Sequence, residues 1–188
     1  MTTTTHTTTD IDALVEGYFD RAARLTTVVQ AGGDWDGASP CEGWTATDVL
    51  DHVIDTQRDF LAQQGVDLGP APTGEPAERW AAHLNAVRRV LGDRGIAGRE
   101  YDGYFGRTTI AATMATFYGF DLVAHRWDLA RALGHDDRWT EAEMDALDRA
   151  VDGFGEHFYA EGISKPALPV PDGADRQTAL LARMGRRA

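Results

Sequence analysis

Five stretches of this chain repeat apolar residues at the three- and four-residue spacing of a helix face, and no stretch alternates convincingly as a strand does. The first runs through Ile11, Leu14, Val15, Tyr18, Phe19, Ala22, Leu25, Val28 and Val29, with Asp10 as N-cap and Gly32-Gly33 as its stop. The second starts at Thr45, whose partner Asp48 makes a capping-box pattern. It continues through Val49, Leu50, Val53, Ile54, Phe60 and Leu61 to about Gly65. A loop with three prolines and two glycines follows over 66–76, and Pro76 suits the first turn of a third helix carrying Trp80, Leu84, Val87 and Leu91. Gly92 to Gly98 close it. A long fourth helix is expected from about Thr108 to Leu133, with Gly134 as its cap. The fifth opens on Trp139, Thr140, Glu143 and Met144, a capping box with a hydrophobic staple, and ends at Gly162. Pro166, Pro169 and Pro171 forbid a helix next, and Asp175 caps a last short one ending at Gly185. Tyr101 to Arg107 reads as a short extended piece. The expected fold class is all-α: a helix bundle with an additional helix and a C-terminal strap.

Residues 11–188 read as one domain, and residues 1–10, rich in threonine, as a flexible tail. The tail has no basic and apolar regions of a secretory signal, and no apolar run is long enough to span a bilayer. A soluble, cytoplasmic protein is expected, with no membrane partner. The net charge of −12 argues against nucleic acid as a partner. The single cysteine, Cys41, excludes an internal disulfide and any multi-cysteine metal site.

The fourth helix holds the chemical anomaly. Met114, Phe117, Tyr118, Asp121, His125 and Leu129 share one stripe, so a carboxylate and an imidazole one turn apart lie on or near the apolar face. A buried carboxylate must be paired or bound to a metal. Two readings stand side by side: Asp121 and His125 hydrogen-bond to each other, or they grip a divalent metal through N and O donors. A metal needs a third ligand, and His52 on the flank of the second helix stripe can reach the crevice between the two helices. Asp128 is a rival partner for His125, with a simpler structural reading as a bond to a loop amide or helix terminus. His83 flanks the Trp80/Leu84 stripe without a partner. His135 and His157 read as surface residues, and Cys41 as a small structural residue. Tyr101, Tyr104 and Phe105 read as core packing. There is no phosphate-binding glycine loop and no nucleophile elbow.

Ser39-Pro40-Cys41-Glu42-Gly43-Trp44-Thr45 followed by Asp48-Val49-Leu50-Asp51-His52-Val53 resembles the start of the second helix in the DinB-like, mycothiol-dependent maleylpyruvate isomerase family. Asp121-Leu122-Val123-Ala124-His125-Arg126-Trp127-Asp128 is similar to that family's second signature, and the stretches 167–172 and 180–187 look like the end of its single-domain, metal-binding branch. The resemblance implies a four-helix bundle and a divalent metal, zinc first and nickel second. Carried over residue by residue, it implies His52, Asp121 and His125 as ligands. The position of Asp121 is often Glu or His in the family, and a shorter carboxylate leaves room for water at the metal. Three protein ligands leave an open position, the catalytic pattern. The implied partners are a small thiol, mycothiol, and an electrophilic substrate, in a transferase or isomerase reaction through a metal-favoured thiolate. The alternative is a non-catalytic bundle that binds a metal or small molecule in a stress response. A homodimer is compatible with the family, although no stripe here names an interface.

Overall fold

Apolar stripes of this kind need one another for burial, and the computed structural model, which describes residues 7–160 and 163–188, shows how they find it. The described chain is mostly helical, 62%, with two short strands. Helix α1 spans Thr7–Ala31, α2 Ala46–Gln63 and α3 Pro76–Leu91. A single turn, α4, covers Arg94–Ala97, and an antiparallel hairpin pairs β1 (Glu100–Gly103) with β2 (Gly106–Thr109). The next helical stretch comes in three parts: α5 (Ile110–Thr113), a π-helical segment (Met114–Tyr118) and α6 (Gly119–Ala132). Helix α7 spans Glu141–Phe154 and runs into a 3-10 segment, Gly155–Tyr159, and α8 spans Arg176–Arg183.

The capping chemistry is as the sequence leads one to expect. Thr45 and Asp48 form a reciprocal capping box on α2, and Thr140 and Glu143 form another on α7. Pro76 sits in the first turn of α3. Asp175 accepts from the Thr178 amide to start α8.

Four expectations need correction. The all-α class gains a hairpin, in which the Tyr101–Arg107 piece is extended as expected, so the fold is not purely helical. Thr108 and Thr109 belong to β2, so the fourth helix begins at Ile110. Helix α7 stops at Gly155, whose positive φ of 55° turns the chain, whereas the expected stop Gly162 lies outside the described residues. Helix α1 is described from Thr7, upstream of Asp10. Of the expected tail, 1–10, residues 1–6 lie outside the described residues.

Helix α6 is the axis of the molecule. On one side α1 and α2 pack against it, with α3 behind them, around Tyr18, Leu25, Leu50, Leu61, Trp80 and Leu122. On the other side α7 and α8 bury Val123, Trp127, Leu147, Val151 and Leu181 in a second core. Eleven of the 14 residues of α6 are buried, so a charged group on this helix must find its partners inside the protein. Arg126 does so on the α7 side: its guanidinium donates to Asp137 at 2.9 Å and to Glu143 at 2.6 Å. No described helix is long and apolar enough to cross a membrane.

Candidate metal centre

The α2 face of α6 carries the other set of charges. Asp121 and His125, one turn apart, meet His52 from α2. Asp121 Oδ1 lies 3.2 Å from His125 Nε2, and Asp121 Oδ2 lies 3.6 Å from His52 Nε2. The second separation is too long for a hydrogen bond, and Asp121 Oδ2 is a buried oxygen with no hydrogen-bond partner. One ligand atom from each of the three residues lies within 4.8 Å of the others. Zinc at about 2.0–2.1 Å from N and O donors spaces tetrahedral ligands about 3.3 Å apart, close to the two measured separations. The donor set, two imidazoles and a carboxylate, suits zinc or nickel. An ionised carboxylate with one oxygen orphaned between two imidazoles is what a divalent cation would satisfy.

Other buried side-chain atoms also lack partners: Arg79 Nε and, sealed in the bundle, Gln57 Nε2 and His83 Nδ1. His83 does not face the crevice. Its Nε2 lies 3.1 Å from Gln57 Oε1, which also accepts from Tyr18 Oη at 2.5 Å. The Asp121 orphan differs from the Gln57 and His83 atoms in being charged, and from Arg79 Nε, part of a cation, in being an anionic acceptor beside a histidine that solvent reaches.

Behind the three ligand candidates stands a layer that the sequence reading assigned elsewhere. His125 Nδ1 lies 2.9 Å from Asp128 Oδ2, so Asp128 is the partner of His125, not of a loop amide. Arg186 donates to the same carboxylate through Nε at 2.9 Å and Nη2 at 2.7 Å. The Cys41 thiol donates to Asp128 Oδ2 at 3.4 Å, and one ligand atom each from Cys41, His125 and Asp128 lie close enough to form a second candidate cluster. The sequence offered one signal for this layer, Asp128 three residues after His125. Nothing in it pointed to Arg186, a residue 58 positions away.

Local structure explains both arrivals. Cys41 and Trp44 sit on a tight loop in which Ser39 Oγ accepts from the Cys41 amide at 2.9 Å and the Trp44 amide donates to Cys41 O at 3.0 Å. The Trp44 ring lies 5.0 Å from His52 and 6.1 Å from His125, so one indole buttresses both imidazoles. Arg186 is delivered by Gly185, which ends α8 with a φ of 74°, and there a Cβ would stand 2.7 Å from that of Lys165. Only glycine makes that turn against the neighbouring segment.

The charges follow from these contacts. Burial opposes ionisation of Asp121, but the His125 and His52 imidazoles outweigh it and hold the carboxyl well below its usual range. Burial likewise opposes charging of His125, yet Asp121, Asp128 and Cys41 together push it well above its usual value. Asp128 is held at about 2, burial being overcome by the Arg186 guanidinium and by His125. A buried imidazole with a carboxylate at each nitrogen carries a proton on Nε2 that a metal cation can replace.

The family described as mycothiol maleylpyruvate isomerase N-terminal domain matches residues 16–130. The chain belongs to that family. The matched span contains His52, Asp121 and His125 together with Cys41 and Asp128, and it stops short of α8 and Arg186. Within this isomerase-domain family the chain thus carries a candidate divalent-metal cluster at the crevice between α2 and α6. No curated protein and no solved structure matches the chain.

Proposed function

We propose that this protein is a metal-dependent, thiol-using enzyme, an S-transferase or isomerase of the cytoplasm, with mycothiol as the thiol and an electrophile as the second substrate. In this reading the four long helical segments are the family's DinB-like four-helix bundle, and the chain after α7 is a strap that completes the site. The observation that carries the proposal is the orphaned oxygen of Asp121, set between His52 and His125 in a crevice that solvent reaches.

His52, Asp121 and His125 would hold a zinc or nickel ion. A bound ion there supplies Lewis acidity and favours the ionised form of an incoming thiol. The chain's own groups set the conditions. Asp128 keeps the His125 proton on Nδ1, which leaves Nε2 free to face Asp121 and His52. Arg186 keeps Asp128 ionised, so that the carboxylate accepts rather than donates. Trp44 fixes the planes of both imidazoles and walls one side of the crevice. Cys41 has its thiol engaged with Asp128, so the reacting sulfur comes from the small thiol rather than from the protein.

Elemental analysis of the purified protein should show near-stoichiometric zinc or nickel. A metal-free protein that takes up neither would overturn the metal centre. The thiol chemistry is tested separately. Metal-loaded protein is incubated with mycothiol and a panel of electrophiles, and the products are read by mass spectrometry. Adduct or isomer formation no faster than without protein would leave the non-catalytic binding role instead.

A further inference from the structure

Exposure along the active face of α6 runs in one direction. The side chain of Asp128 is 0% exposed, that of His125 9% and that of Asp121 19%. One turn before Asp121, Phe117 is 46% exposed. Exposure therefore rises along α6 from the buried Asp128–Arg186 pair towards Phe117. That residue lies in the π-helical segment, where the wider turn shifts side chains off the regular helical stripe.

Phe117 does not stand alone. Its ring meets Phe154 edge-on at 6.0 Å, and Phe154 in turn lies 5.7 Å from Phe105 at the hairpin tip. Tyr104 stacks edge-on against Phe105 at 4.9 Å and reaches His157 Nδ1 at 3.2 Å. Tyr104 and Phe105 are 78% and 65% exposed, although the sequence pattern placed them in a core. A contiguous exposed patch of aromatic rings is uncommon on a soluble surface and marks a contact site. On α2, about one and two turns after His52, the acids Asp55 and Asp59 are exposed. The cation that reaches the crevice, Arg186, is committed to Asp128.

We infer that the molecule handled at this site is uncharged, with an apolar body the size of an aromatic ring that lies across Phe117, Phe154 and Phe105 while its reacting end enters the crevice. This inference rests on the proposed function and adds to it a substrate class. The acids on α2 disfavour an anionic ligand such as a dicarboxylate. The ring shelf contributes affinity through apolar burial and ring-to-ring contact.

The test uses zinc-loaded protein and three thiols as probes: 2-phenylethanethiol, ethanethiol and 3-mercaptopropionate, with binding read by calorimetry and zinc content by elemental analysis. Burial of one ring predicts binding of 2-phenylethanethiol about tenfold tighter than of ethanethiol. Binding of 3-mercaptopropionate should be weaker than either. Phe117→Ala and, separately, Phe105→Ala should reduce the aromatic preference to about threefold or less with zinc content unchanged. Equal affinities for the two neutral thiols, a preference for the anionic one, or a preference that survives both substitutions would overturn the inference. If the protein takes up no zinc, the metal reading fails by itself. The shelf is then judged by NMR titration with benzyl alcohol, where shifts of the Phe117 and Phe105 rings support it and their absence overturns it. A homodimer dissociated by Phe105→Ala would also overturn it, because the rings would then belong to a second copy.

Discussion

Two histidines are buried among the described residues, and the protein drives them in opposite directions. His83 lies between α1, α2 and α3 with a glutamine, a tyrosine and an indole for company. Burial, aided by the Arg58 charge, lowers it to about 3, so it stays neutral. His125 is buried almost as well, but a carboxylate faces each of its nitrogens and its value rises. The contrast shows that burial by itself makes a histidine inert. In the proposed metal centre, what would make His125 a ligand is the pair of carboxylates, one on each side of the ring: Asp128 to fix the proton and Asp121 to share a cation. The same rule separates Arg126, whose carboxylate partners are all engaged, from Asp121, which has an oxygen to spare.

The largest difference expected between the two histidines is in metal content. His125→Ala should lose bound metal altogether, whereas His83→Leu should keep it, both read by elemental analysis of folded protein. Equal loss in both would mean that the ions sit elsewhere. Next in size is the layer behind the ligands. Asp128→Asn should lower metal affinity about 10–100-fold, measured by competition with a chromophoric chelator, while His52, Asp121 and His125 remain in place.

The third difference is a pH dependence that belongs to His83. Its folded value lies below its unfolded value of about 6.5, so the unfolded chain binds the extra proton between them. The resulting stability is complete above about 6.5 and is lost as pH falls towards the folded value. Between pH 7 and pH 5 the loss is about 2 kcal/mol. His83→Leu should flatten that part of the profile in denaturant titrations at the two pH values. The smallest effect is expected away from both histidines. Thr140→Ala removes the side-chain cap of α7 and should cost about 1 kcal/mol in thermal or chemical unfolding, with metal content untouched.

His52, Asp121 and His125 were legible in the chain because two of them recur one turn apart on an apolar stripe and the third lies beside a second stripe, within a family pattern. Periodicity reports which face a residue occupies, and it served for the caps and for the long helices as well. It failed where structure depends on a local change of period. The π-helical segment shifted Phe117 outward, the hairpin replaced the expected start of the fourth helix, and Gly155 ended α7 ahead of the expected Gly162. It was silent on Arg186, whose role depends on a turn at Gly185 and on a neighbour far away in the chain.

The amino-acid order alone therefore determined the helical class, the capping boxes and the Asp121–His125 pair, because each rests on spacing within a few residues, while His52 came from a second stripe and a family pattern. Only the tertiary structure decided which carboxylate faces which nitrogen of His125, that Cys41 and Arg186 converge on Asp128, and that one oxygen of Asp121 has no partner. Those facts depend on the distance between side chains from α2, α6 and the segment after α8, and such distances exist only once the helices have packed.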